Sequence, residues 1–154
     1  MRPDPYRGFR FRIIIDGFLE AGGFTRVSGL GQHTEVIPYA EGGGGIRKLM
    51  GRTDFPPIVL ERGLSVDLEF QVWASLVHNI VAEVAPEGLL KQSITIQLVG
   101  KTHTAAKPDI KKQWLVFRCW PSDYEVGDFD SMSSSVVMER LILQNEGNII
   151  TSVL

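Results

Sequence analysis

The residues able to do chemistry are few and scattered along the chain. His33, His78 and His103 fall in three separate segments, without the short spacing that sets imidazoles on one metal. Asp128 and Asp130 stand two apart on an acidic stretch, and solvated turn carboxylates are the simpler reading than a paired acid and base. The single Cys119 lies mid-strand among apolar neighbours, where a thiol serves packing, and a lone cysteine excludes an internal disulfide. Ser131-Met-Ser-Ser-Ser135 is small and polar, with nothing resembling a nucleophile elbow around it. Two glycine motifs invite a phosphate-cradle reading. Glu41-Gly-Gly-Gly-Gly45 is followed by a short basic run bounded by Gly51, whereas the dinucleotide fingerprint needs a strand before the glycines and a helix after them. A flexible hairpin tip is expected there. Gly100-Lys101-Thr102 would need glycine at position 95 to be a P-loop, and Thr95 stands there, with Pro108 breaking the helix that should follow. No catalytic residue, cofactor or metal ligand is expected.

What these residues sit on is mostly strand. Phe9–Asp16 alternates Phe9, Phe11, Ile13 and Ile15 with Arg10, Arg12, Ile14 and Asp16, a half-buried strand after a Pro-rich arm. Phe24–Gly29 and Thr34–Tyr39 read as strand pieces around a Ser28-Gly29-Leu30-Gly31 bend. Ile58–Glu61 is a short strand closed by Arg62-Gly63. From Ser65, apolar residues at Val66, Phe70, Trp73, Val77, Ile80 or Val81, and Val84 follow helical spacing, with Ser65 as N-cap and Pro86-Glu-Gly88 as the stop. This amphipathic helix is expected to lie against the sheet. Ser93–Val99 is another strand. Trp114–Trp120 is apolar on both alternate sets, so both faces must be covered. Pro121 is expected to end that ladder by removing an N–H donor. Val136–Gln144 then sets Val137, Leu141 and Leu143 on one face with Glu139 among them, and a mixed face of Val136, Met138, Arg140, Ile142 and Gln144 on the other.

Composition excludes several classes. Hydrophobic residues at 44% and charged ones at 22% of 154 residues are ordinary for one globular domain spanning 1–154. A formal net charge of −2 lacks the basic footprint of an electrostatically driven nucleic-acid binder. No stretch approaches the roughly 18 apolar residues of a membrane-spanning helix, and the N-terminus lacks the apolar run of a signal peptide, so a soluble product in the producer's cytoplasm is expected. Charge is local instead. Residues 101–112 carry Lys101, Lys107, Lys111 and Lys112 against Asp109, and residues 122–131 carry Asp123, Glu125, Asp128 and Asp130 without a base. A small mainly antiparallel β-sandwich leaves sheet edges open, and head-to-tail pairing of identical copies into a ring is one way to cover them. Lys107, Lys111 and Lys112 meeting Asp123, Glu125, Asp128 and Asp130 across such a joint is the charge pairing expected.

Six short pieces, in order, resemble the tail-tube protein family of contractile phages and phage-like contractile injection systems. They are Pro5-Tyr6-Arg7-Gly8-Phe9-Arg10-Phe11 through Ile15-Asp16-Gly17; Gly22-Gly23-Phe24 with Val27-Ser28-Gly29-Leu30; Glu41-Gly42-Gly43; Arg47-Lys48-Leu49-Met50-Gly51-Arg52; Leu60-Glu61-Arg62-Gly63 with Asp67, Leu68 and Trp73; and Met138–Leu143 with Glu146-Gly147. The chain departs from the family in Met50, where proline is usual, in Asn145, where histidine is usual, in the length of its helix and in the Lys-rich loop 101–112.

The resemblance implies a mainly β (α+β) subunit, an antiparallel β-sandwich or barrel with one flanking α-helix, six of which close a continuous β-barrel ring. Rings would stack into a hollow inner tube through a loop carrying Ile46, Arg47, Lys48, Leu49, Met50 and Arg52. Arg10, Arg12, Arg140 and Gln144 are the lumen-facing candidates. Expected partners are further copies, a sheath protein, baseplate or tube-initiator and tube-terminator proteins, and effector protein or DNA as luminal cargo, with no specific nucleic-acid sequence and no stable membrane anchor. Alternatives are a type VI secretion-like hexameric ring protein, a specialised baseplate-proximal ring, and a monomeric β-sandwich binding module.

Overall fold

In the computed structural model the described residues are 10–15, 19–64, 71–75, 92–102, 104, 106–132 and 137–151. They contain nine strands: β1 (Arg10–Ile15), β2 (Leu19–Ser28), β3 (His33–Ala40), β4 (Ile46–Asp54), β5 (Ile58–Gly63), β6 (Gln92–Val99), β7 (Ile110–Val126), β8 (Met138–Gln144) and β9 (Gly147–Thr151). One helical turn, α1 (71–75), carries Trp73. The rest of the expected helix, with Ser65, Val77 and Val84, lies outside the described residues, as do His78, His103 and Ser133–Ser135.

Seven strands form one sheet in the order β6-β1-β2-β5-β8-β7-β9, and β6 also pairs with β7. The first six therefore close into a barrel within one chain, with every ladder antiparallel. The period-2 pattern explains the filling. Ile13 of β1, Ile58 and Leu60 of β5, Ile94 and Ile96 of β6, Val116 and Cys119 of β7, and Leu141 and Leu143 of β8 all point inward, and Trp73 joins them fully buried. The sandwich with open sides expected from length and pattern is closed here by its own strands. Backbone edges remain only in part.

β7 makes the closure possible, and here the sequence expectation is corrected. Pro121 does not end the strand: β7 runs 17 residues, through Pro121 and into the acidic segment as far as Val126. From Trp120 onward β7 is laddered to β8 alone among the described residues, and a strand with one unpaired edge tolerates a proline. The strand bends at Arg118, which takes φ 44, a left-handed conformation costly for a side-chain-bearing residue. β7 pairs with β9 up to Phe117 and with β6 up to Cys119; from Trp120 it pairs with β8. The connection from β8 to β9 crosses β7 at the same level, where Glu146 N–H donates to Phe117 O (3.0 Å) and Arg118 Nε meets Glu146 Oε2 (3.2 Å). The sequence reading had no strand corresponding to β9.

β3 and β4 stand apart as a two-stranded sheet, paired from His33↔Asp54 to Ala40↔Ile46. The chain enters this hairpin through Gly29 at φ 90, whose Cα faces the Pro57 carbonyl so closely that an added Cβ would lie 2.0 Å from that oxygen.

Candidate assembly surface

The hairpin is the least self-sufficient part of the molecule. An isolated two-stranded sheet is marginal in water and is stabilised by packing one face on a core. Here neither face is covered. Cross-strand partners set Ile37 with Leu49 and Tyr39 with Arg47 on one side, and Val36 with Met50, Pro38 with Lys48 and Ala40 with Ile46 on the other. Met50 is 91% exposed and Ile46 72% exposed. The glycine run forms the turn, with Gly44 N–H donating to Glu41 O (3.2 Å) and Arg47 pairing with Glu41 (3.3 Å). Ile46, Arg47, Lys48, Leu49, Met50 and Arg52, expected as a loop, are β4, exposed along its length except for half-buried Gly51. Exposed apolar patches of this kind are a feature of surfaces that contact other molecules.

The basic residues lie before β7 and at its start, and the acidic ones at its end and beyond it, on either side of the bend at Arg118. The basic loop is organised on Asp109, whose backbone oxygen accepts from Gly100 N–H (2.8 Å) and whose carboxylate takes Lys111 (2.9 Å) and Thr102 (3.0 Å). Lys107 closes a local turn with Thr104. Lys112 is half-buried beside Leu98 in the β6–β7 ladder. At the far end, Asp123 accepts from Ser122 Oγ (3.0 Å), Asp130 from Met132 N–H (2.9 Å), and Asp128 is exposed. Glu125 is engaged by Arg140 (3.6 Å).

The four lumen candidates lie on two opposed barrel walls. Arg10 and Arg12 point outward from β1, where Arg12, Gln97, Gln113 and Thr151 form one row across β1, β6, β7 and β9. Gln97 donates to Gln113 (2.9 Å). Arg140 and Gln144 point outward from β8, and Gln144 donates to Ser122 Oγ (3.1 Å).

Pairings that spacing along the chain did not reveal hold that second wall together. Arg26, Glu61, Arg140 and Glu125 occupy one row across β2, β5, β8 and β7. One position along, on the inner face, Arg62 of β5 faces Glu139 of β8. These two are 4% and 1% exposed and form a direct ion pair. Tyr124 donates to the other Glu139 oxygen (2.9 Å), and the Arg62 guanidinium lies 5.6 Å from the Phe24 ring. Burial, reinforced by that hydrogen bond, raises the Tyr124 hydroxyl above its usual pKa. The available signal was Glu139 on an otherwise apolar face, which demanded a buried cation. Asn145, at the family's histidine position, donates to Pro56 O (3.1 Å).

Among the described residues the candidate chemical groups are not brought together. His33 is exposed on β3, Cys119 is buried with its thiol pushed up to about 12 by desolvation, and no metal-holding group of three His, Cys, Asp or Glu occurs among the described residues. The open cleft beside β9, about 320 Å³, is walled by Leu30, Trp114, Ile149 and Ile150 without a titratable group. No helix of the described residues is long and apolar enough to cross a membrane.

A sequence profile described as T4-like virus tail tube protein gp19 matches residues 7–148. No curated protein sequence matches the chain. Among solved structures, a chain of the PVC sheath-tube complex, an extracellular contractile injection system in its extended state, superposes with TM-score 0.75 at 23% identity, over 97% of this chain and 93% of that one. A chain of the anti-feeding prophage tube-terminating cap superposes with TM-score 0.77 at 23% identity, over 99% and 95%. Hcp1 from Flavobacterium johnsoniae gives TM-score 0.55 at 13% identity, over 92% and 94%. At these identities the likeness is one of fold.

Proposed function

The chain belongs to the T4-like virus tail tube protein gp19 family, and we propose from that premise that its copies form six-membered rings stacked into the inner tube of a contractile injection particle or phage tail. It is a structural tube protein. In this reading residues 1–154 are one domain with no catalytic role, and the lumen conducts effector protein or DNA when the sheath contracts. The subunit is made in the producer's cytoplasm and meets sheath, baseplate or tube-initiator and tube-terminator proteins there. The relatives named as sheath-tube complex and tube-terminating cap support that set of partners.

The single observation that carries the stacking is the exposed hairpin. Ile46, Leu49 and Met50, flanked by Arg47, Lys48 and Arg52, reach the adjacent ring and bury there what the subunit leaves wet. The acidic charges Asp123, Glu125, Asp128 and Asp130 serve the joint between neighbouring copies in a ring, and Lys107, Lys111 and Lys112 serve contacts outside that joint. One lumen takes one wall, and we assign it the wall of Arg140 and Gln144; Arg10 and Arg12 then face outward.

Light scattering with negative-stain microscopy tests this. A ring of about 103 kDa, six times the 17.1 kDa chain, with a central hole, or tubes of such rings, is expected. A monodisperse 17.1 kDa particle at high concentration overturns it. Rings that never stack point instead to a ring protein of the Hcp type.

A further inference from the structure

The outward row on β2, β5, β8 and β7 alternates in sign: Arg26, Glu61, Arg140, Glu125. Its middle is saturated. Arg140 lies between Glu61 (3.3 Å) and Glu125 (3.6 Å), and Glu61 also takes Arg26 at 4.0 Å. Its ends are open: the Arg26 side chain is 70% exposed and that of Glu125 58% exposed, each with a partner on one side only.

Both ends stand on backbone edges without a ladder. Among the described residues, β2 from Thr25 to Ser28 pairs with β5 alone, because its ladder to β1 stops at Phe24. β7 from Trp120 to Val126 pairs with β8 alone, because its ladder to β6 stops at Cys119. The wall is therefore a four-strand sheet with a basic residue on one free edge and acidic residues on the other. The acidic edge carries Asp123 and Glu125, two apart and on the same outward face. Along the wall β2 and β7 run in opposite directions, so the β7 edge of one copy presents an antiparallel site for the β2 edge of the next.

We propose that the second copy of this chain docks its β2 edge on the β7 edge, with Arg26 set against the Asp123–Glu125 carboxylates of its neighbour as the register key. This deepens the ring reading above and rests on it. A one-residue slip would turn Arg26 to the inner face, away from both carboxylates. Two carboxylates spaced by two accommodate the even-numbered stagger that a tilted, closed sheet requires at its joints. The cation that pairs with the acidic segment is thus Arg26 on a strand edge, while the Lys107–Lys112 loop, with Lys111 already on Asp109, is left for other contacts.

Charge reversal decides it. Arg26→Glu, and separately Asp123→Lys with Glu125→Lys, should each raise the concentration for half-assembly into rings about tenfold or more at low salt. Far-UV circular dichroism should remain that of the unchanged chain. Mixing the two defective proteins should restore rings, because each then offers the other an opposite edge. Lys111→Glu with Lys112→Glu should leave ring formation unchanged. Rings that form normally from Arg26→Glu, that fail to return on mixing, or that are lost only in the lysine variant overturn the inference while leaving the tube reading intact. An unaltered chain that makes no rings overturns both.

Discussion

The barrel and the hairpin use the same kinds of residue in opposite ways. Ile58, Leu60, Leu141 and Leu143 alternate inward and vanish from solvent; Ile37, Ile46, Leu49 and Met50 alternate just as regularly and stay wet on both sides. The difference is closure. Six strands that meet their own ends have an inside, and a two-strand ribbon has none. The barrel therefore accounts for the fold of the subunit, and the hairpin is the part left uncovered by it. Substitutions in the barrel should act on folding, and substitutions in the hairpin on assembly.

The sharpest form of that contrast is the buried pair inside the barrel. Glu139→Ala leaves the Arg62 charge buried without its carboxylate and is expected to cost about 3–5 kcal/mol in urea unfolding of the dissociated subunit. Replacing both partners with leucine should recover most of that loss, since desolvation opposes the pair's attraction. A mild effect of Glu139→Ala would mean that the barrel interior admits water.

Next in size is the joint between the two regions. Gly29→Ala must displace the Pro57 carbonyl and hold alanine at φ 90, so a loss of about 3 kcal/mol is expected by the same measurement. Below it comes an alkaline effect confined to the barrel. The Cys119 thiol is raised from 9.0 to about 12, so the unfolded chain releases this proton first. The stability it contributes is complete below pH 9 and falls as pH rises toward 12, by at most about 1.4 kcal/mol per pH unit. Tyr124 is raised as well and acts in the same direction. Cys119→Ala should flatten that decline, and alkylation of Cys119 at pH 8 should proceed only on unfolding.

The smallest effect on folding belongs to the hairpin. Ile46→Ser with Met50→Ser should change subunit stability by no more than about 0.5 kcal/mol, because both side chains are exposed already. The same variant should still form single rings and fail to stack them, read by counting rings against tubes in negative stain. Loss of folding in this variant would erase the distinction between the two regions.

Much of this was legible in the chain. Alternation located β1, β6 and β8 to within one or two residues, since one-sided burial writes itself as period 2. Six short resemblances located the family. Pro121 misled because a proline's missing donor matters only where a neighbouring strand asks for it, and whether one does is a long-range fact. β9 escaped notice because its five residues, Gly147–Thr151, set Ile149 and Ile150 side by side and so lack an inward-outward contrast.

The order of residues alone determined what kind of surface each strand carries, because side-chain direction along an extended chain needs no partner to define it. Which strands become neighbours was decided only by the closed barrel, through the bend at Arg118 and the double pairing of β7. That is why Arg62 and Glu139, 77 positions apart, and the row Arg26, Glu61, Arg140 and Glu125 could not be read from spacing. Charges find their partners across ladders, and ladders are set by tertiary closure.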